Sequence, residues 1–287
     1  MSSVRSGALA AAAAFLLWGS FGLYFHALGA LPATEVLAHR ILGGAVFAFL
    51  ALAVRGGLGQ IRGILADRPA TLRLGASAVA VGLNWGLFVW AVAHGRALEA
   101  SLGYYIYPLV SVFLGRVFLD ERLSGRQGAA IVVAGLGVGW LVMHGHGVPW
   151  VALALALSFG VYGLLRKTIA VPALSGLLVE TVWLVPLAVL YLAWQGGGAA
   201  MAADPRLLGL LALAGPVTVV PLALFAFGAR RLRLSTLGLM MYINPTMQML
   251  VAVFVLDEPF TPAHAVAFTA IWLGVALYSW PTRRSGQ

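Results

Sequence analysis

A few polar residues interrupt otherwise apolar stretches of this chain. Glu35, His39 and Arg40 fall in one such stretch and Glu180 in another. Charge is costly to keep in apolar surroundings, so these residues point to ligand contact, ion pairing or proton transfer. Glu35 and His39 are four residues apart and share a helix face. Histidine is a residue type that can carry a proton near neutral pH, although a packed, hydrogen-bonded His39 is the plainer reading. Arg40 and Glu180 read as a switchable ion pair, or as a pole for substrate beside a proton acceptor. The blander readings are a permanent structural pair, or an arginine that snorkels outward.

Ser101, Tyr104, Tyr105 and Pro108 follow at i, i+3, i+4 and i+7, which is one helix face. Gly238, Met241, Tyr242 and Pro245 repeat that spacing, with Gln248 one turn on. Each proline removes a backbone donor and frees a carbonyl. In a membrane such freed groups are tolerated only against neighbours, water or a cavity. Breaks at matched positions point to a transport site, the plainer reading being a kink that shapes packing. Asn84 binds solute or ties helices together, and Trp85 adds an indole beside it. Asn244 joins the cavity set, and Glu99 is expected at its outer mouth. Trp18, Trp90, Trp183 and Trp272 read as packing or interface anchors.

The elements that hold these residues follow from composition. Of 287 residues, 61% are apolar and 9% are charged, against roughly 25% charged in a soluble domain. Mean hydropathy is +0.95. A water-soluble enzyme and a disordered chain are both excluded. With no cysteine, the chain has no disulfide, thiol nucleophile or thiolate metal site. Stretches long enough to span a bilayer lie near 7–29, 33–54, 72–93, 97–118, 125–143, 148–168, 174–194, 206–228, 233–256 and 262–281. The first is read as a retained helix, not a cleaved signal. The fold class is therefore all-α integral membrane, with ten transmembrane helices.

Placing the N-terminus inside puts most basic residues on the cytoplasmic side, as such loops require. These are Arg5, Arg55, Arg62, Arg68, Arg73, Arg122, Arg126, Arg166, Lys167, Arg230, Arg231, Arg233, Arg283 and Arg284. Only Arg96 and Arg206 fall outside, while Arg40 and Arg116 lie within spans. The net charge of +9 is thus a topology signal with anionic-lipid contact as a side effect, and nucleic acid is not needed to explain it. Both termini are expected in the cytoplasm.

An internal repeat organises the spans. Tyr105-Ile106-Xaa-Pro108 and Leu119-Asp120-Glu121 recur as Tyr242-Ile243-Xaa-Pro245 and Leu256-Asp257-Glu258 at a constant offset of 137. Ser20-Phe21-Gly22-Xaa-Tyr24 recurs as Ser158-Phe159-Gly160-Xaa-Tyr162 at 138. Helices 1–5 (residues 1–144) are read as a duplicate of helices 6–10 (145–287). Five is odd, so the halves insert with inverted topology, a recurring device of secondary transporters. A duplicated scaffold without transport is the plainer reading. Gly135 and Gly139, like Ala270 and Gly274, form small-residue faces that pack within the bundle or between the protomers of a homodimer.

There is no P-loop, no HExxH motif and no Gly-Xaa-Ser-Xaa-Gly elbow. His144 and His146 offer at most two metal ligands, so no metal and no cofactor is expected.

Several segments resemble the drug/metabolite transporter superfamily, specifically an EamA-type permease of the RarD subgroup. They are Glu35-Val36-Leu37-Ala38-His39-Arg40, Asn84-Trp85, Leu98-Glu99-Ala100-Ser101-Leu102-Gly103-Tyr104, Val179-Glu180-Thr181 and Arg233-Leu234-Ser235-Thr236-Leu237-Gly238. The resemblance covers nearly the whole chain. It implies ten helices, an inverted repeat and a bacterial cytoplasmic-membrane permease. RarD-like proteins are often labelled chloramphenicol-sensitivity proteins. Departures fall near the expected cavity: Gly43-Gly44 stands close to where the subgroup has Trp-Ser, Tyr107 precedes Pro108 in place of asparagine, and Met241 replaces a glutamine.

The leading expectation is a permease that moves a small organic solute by alternating access. Proton coupling and exchange both fit, since a buried carboxylate can exchange a proton near neutral pH. The other classes are a polytopic enzyme acting on lipid-linked substrates and a non-transporting sensor. The acidic pairs Asp120-Glu121 and Asp257-Glu258, expected on opposite sides, count against the enzyme.

Overall fold

The computed structural model describes residues 3–29, 31–120, 125–195, 204–229, 231–232 and 240–279. The expectations on Glu121, Arg122, Arg230, Arg233, Gly238, Arg283 and Arg284 lie outside these. The described residues form helices and connecting turns, with no strand. In chain order they are α1 Ser3–Gly19, α2 Phe21–Ala27, α3 Ala33–Val54, α4 Gly59–Ala66, α5 Arg68–Ala93, α6 Ala97–Phe118 and α7 Gly125–Leu141. They continue as α8 Trp150–Lys167, α9 Ala173–Trp194, α10 Pro205–Ala212, α11 Ala214–Ala229, α12 Ile243–Phe254 and α13 Pro262–Ser279. Among the described residues, seven helical segments are long and apolar enough to cross a membrane, and three shorter apolar helices accompany them. Large apolar side chains such as Val46, Phe49, Leu83, Leu136 and Leu190 point outward, as lipid-facing helices require.

Punctuation recurs at matched places. Pro32 and Pro172 precede α3 and α9 with nearly the same backbone, φ −55° and ψ 137° against φ −55° and ψ 146°. Pro cannot donate a backbone bond, so it sits where a helix begins. The Asp67 carboxylate accepts from the Ala70 amide at 3.1 Å, and Asp204 accepts from Arg206 at 2.8 Å, so each caps the helix that follows. Asp120 and Asp257 both take the left-handed conformation, with φ 51° and 52°, which Asp tolerates better than most residues.

Some expected spans are divided. The first is α1 plus α2, broken at Ser20, whose Oγ donates back to the Leu16 carbonyl at 2.9 Å and competes with the helix ladder. The eighth is α10 plus α11, broken at Leu213. The long connection near 55–71 contains α4, a short helix whose Ile64 is buried.

Packing pairs the helices closely. α3 lies against α9 and α11, α5 against α8 and α9, α6 against α8 and α12, α1 against α11 and α12, and α7 against α13. Glycines permit the closest crossings. A Cβ on Gly103 would lie 2.7 Å from the Ala152 carbonyl oxygen, and one on Gly215 would lie 2.6 Å from that of Gly43. Gly274 approaches the Ala130 backbone in the same way, so the Ala270/Gly274 face packs inside the bundle on α7. Gly135 and Gly139 instead face open space. Gly103→Val should therefore lower the melting temperature in detergent, since overpacking a tight site costs about 1–3 kcal/mol. Gly139→Val should leave it unchanged, and a thermal-unfolding series checks both.

Candidate functional site

Arg40 sits in the second turn of α3, only 5% exposed. Its Cζ lies 4.4 Å from the Trp85 ring centroid, 5.4 Å from Phe25 and 5.5 Å from Phe21. Such cation–π contacts contribute about 0.5–2 kcal/mol each. Nε donates a long hydrogen bond, 3.4 Å, to the Thr218 hydroxyl on α11. Tyr24 and Tyr104 are near enough to act electrostatically on the guanidinium, while their hydroxyls donate to the Leu210 carbonyl at 2.8 Å and to Asn84 at 3.0 Å. Among the described residues no carboxylate forms a salt bridge with it.

Glu180, on α9, occupies a second buried nest and is 1% exposed. Ser77 on α5 donates to its Oε1 at 2.6 Å. Arg166, at the end of α8, brings Nη1 to 3.7 Å from the same oxygen, a distance beyond direct hydrogen bonding. The Tyr162 hydroxyl stands beside the carboxylate, while Oε2 makes no hydrogen bond. Arg166 also donates to the Val171 carbonyl at 3.3 Å. A Cβ at Gly176 would overlap its guanidinium, so this glycine makes room for the arginine.

The expected Arg40–Glu180 pair is therefore not formed. The charge across from Glu180 is Arg166, which the sequence presents only as a rim residue. Phe21, Phe25, Thr218, Ser77 and Tyr162 also escaped sequence reasoning as site residues. A usable signal did exist, because the repeated Phe21/Tyr24 and Phe159/Tyr162 motifs each lie near one buried charge.

Several expected residues gather near Arg40. Tyr104 donates to Asn84 Oδ1 at 3.0 Å, and Asn84 Nδ2 donates to the Leu155 carbonyl at 3.0 Å and to Ser158 at 3.1 Å. Asn84 thus ties α5, α6 and α8 together. Tyr105 turns the other way. It is 1% exposed, shares a 2.7 Å hydrogen bond with Thr246 and stacks 6.4 Å from Tyr242. The shared face of α6 is wide enough to touch two different neighbours. Pro108 and Pro245 are buried, and Ser101 donates back to the Leu98 carbonyl at 2.7 Å. Met241 packs with Phe15 and Trp18. Asn244 accepts from Gln248 at 2.9 Å, leaving the buried Gln248 Oε1 without a partner.

The remaining charges lie toward helix ends. His39 Nδ1 is 2.9 Å from the Glu35 carbonyl, and the buried Glu35 Oε1 has no hydrogen-bond partner. Glu99 accepts from the Val151 amide at 2.9 Å and pairs with Arg96 at 3.4 Å. Glu258 accepts from the Ala97 and Leu98 amides at 2.6 and 2.7 Å, capping α6 from across the bundle. Burial pushes its carboxyl above the ordinary range, those two amides pull it back, and Glu99 nearby pushes it up again. A pocket of about 180 Å³ opens here, lined by Arg96, Glu99, Leu102, Glu258 and His264. Of the expected site residues only Glu99 lines it, so this pocket is an end vestibule set apart from Arg40.

Several apolar helices long enough to cross a bilayer, some burying a charge, define a multi-pass membrane protein. The EamA-like transporter family model matches residues 5–143. An uncharacterized transporter of Pseudomonas aeruginosa is 41% identical over 99% of this chain and 96% of its own length. The protein RarD of Escherichia coli is 40% identical, covering 96% and 94%. A Pseudomonas aeruginosa protein named chloramphenicol-sensitive protein RarD is 34% identical over 97% of this chain and 95% of its own. A solved crystal structure superposes with a TM-score of 0.65 at 22% identity, covering 98% of this chain and 99% of the other, and so shares the fold. The chain belongs to the EamA-like transporter family, in its RarD subgroup, and is a bacterial multi-pass membrane transporter.

The Arg166–Glu180 contact gives a stability prediction. Arg166→Gln strands a buried carboxylate and should destabilise by about 3–5 kcal/mol. The double variant with Glu180→Gln should recover most of that loss, because no unpaired charge remains. Thermal unfolding of the single and double variants measures both.

Proposed function

We propose that the protein is a secondary permease, ten spanning helices arranged as two inverted five-helix halves, 1–144 and 145–287. It moves a small organic solute across the cytoplasmic membrane by alternating access. Both termini lie in the cytoplasm, as the distribution of basic residues requires.

The observation that carries this reading is the reciprocity of the packing. In the repeat correspondence, α1 and α2 pair with α8, α3 with α9, α5 with α10 and α11, α6 with α12, and α7 with α13. The contacts α6–α8, α5–α8 and α5–α9 then have the mates α12–α1, α11–α1 and α11–α3, and all six occur. Pairs related to each other, α3–α9, α6–α12 and α7–α13, also touch. That is the pattern an approximate twofold axis produces. Two of the buried charges obey it as well, Arg40 on α3 and Glu180 on α9.

The polar ties cross from one half to the other. Glu258 to α6, Glu99 to Val151, Asn84 to Ser158, Tyr105 to Thr246, Arg40 to Thr218 and Ser77 to Glu180 all do so. Rocking the halves would exchange such ties, with Arg40, Trp85, Asn84 and Tyr104 meeting solute and Glu180 serving charge coupling.

Counterflow of a labelled metabolite panel into proteoliposomes tests this. At least one solute should enter above the level of empty vesicles. Arg40→Ala and Glu180→Gln should each cut its initial rate about tenfold or more, the scale of one lost contact to a charged group. Normal rates in both correctly inserted variants would remove them from the mechanism.

A further inference from the structure

We propose that the solute is an organic monocarboxylate with an apolar body, anchored by its carboxylate on Arg40. This rests on the permease reading and goes further by naming the chemistry that is carried.

Buried Arg40 and half-buried Arg166 are treated differently by the fold. Arg166 has Glu180 at 3.7 Å and the Val171 carbonyl at 3.3 Å. Arg40 is buried, at 5% exposure, yet among the described residues no carboxylate pairs with it. Its sole hydrogen bond among the described residues runs from Nε to Thr218 at 3.4 Å, at the weak end of the range. Thr218 spends its own hydroxyl hydrogen on the Ala214 carbonyl at 2.9 Å. The terminal Nη donors are therefore uncommitted.

An isolated cation in low dielectric is strongly disfavoured unless an anion joins it. Aromatic rings soften that cost but accept no strong hydrogen bond. A guanidinium presents parallel N–H donors that fit a carboxylate in a two-point contact. The same rings shape the rest of the ligand. Trp85, Phe21 and Phe25 surround the cation, and Phe88 packs edge-on against Tyr104 at 5.7 Å beside it. A flat or aliphatic body suits these walls, and a second charge does not.

The test uses the full-length protein in detergent. Phenylacetate, indole-3-acetate and hexanoate are each compared with their neutral amides by thermal shift, because a ligand bound to the folded state raises the melting temperature. At least one acid should raise it while the matching amide does not. Arg40→Gln should abolish the shift. Arg40→Lys keeps the charge but loses the fork, and should weaken apparent affinity about tenfold or more. The proposal falls if no acid shifts the protein, if amides act equally, or if the shift survives Arg40→Gln. Should Arg40→Gln fail to elute as a single species, the acid–amide comparison on the unaltered chain decides alone. Arg40-dependent acid binding without flux in proteoliposomes would sink the permease reading and leave the anion site standing. Flux of a neutral metabolite that survives Arg40→Gln would do the reverse.

Discussion

Arg40, Arg166 and Glu180 must hold charge where water is scarce, and each solution shapes the helices around it. A buried ion costs several kcal/mol unless it is paired and hydrogen-bonded. At Glu180 the chain supplies the pair. Ser77 reaches across from α5, Arg166 folds back from the end of α8, and Gly176 leaves room for the guanidinium. At Arg40 it supplies rings and one weak acceptor. One nest is nearly closed electrostatically and the other is left open. In the proposed permease, that asymmetry between α3 and α9 lets one pole grip solute while the other responds to charge.

The surrounding packing is closest where glycines meet facing helices. Apolar side chains face outward to lipid, so little hydrophobic force holds helix to helix. Close glycine crossings such as Gly43 on Gly215 and Gly103 on Ala152 do that work through contact. Superimposed on them are polar ties between helices. Glu99 and Glu258 both lie at the start of α6, one accepting from α8 and the other capping α6 itself. Asn84 satisfies three groups on two helices. Interfaces of this kind switch between discrete arrangements and do not deform gradually.

Much of this was legible in the residues. The stretch read as 33–54 is α3, Ala33–Val54, and the stretch read as 97–118 is α6, Ala97–Phe118, because proline or glycine punctuation stands before each. Ser20 is less visible, since a lone serine in an apolar run gives no sign that its hydroxyl will turn back on Leu16. Arg166 misleads for a different reason. Beside Lys167 at a helix end it satisfies every topology rule, and only the approach of α9 over Gly176 brings it to Glu180. Tyr104 and Tyr105 share a helix face by spacing, yet neighbours on either side of α6 separate them. Helical periodicity says which residues are near each other on a helix, not which partner each one meets.

The central claim is that Arg40 is kept for solute and not for the fold. Unfolding temperature of Arg40→Met in detergent, without added ligand, addresses it most directly. Methionine fills similar space without charge, and replacing a buried ion by a packed apolar group is often neutral or stabilising. The account predicts a melting temperature equal to or above that of the unaltered chain. A clear fall would show that the guanidinium holds the helices together, and would contradict it.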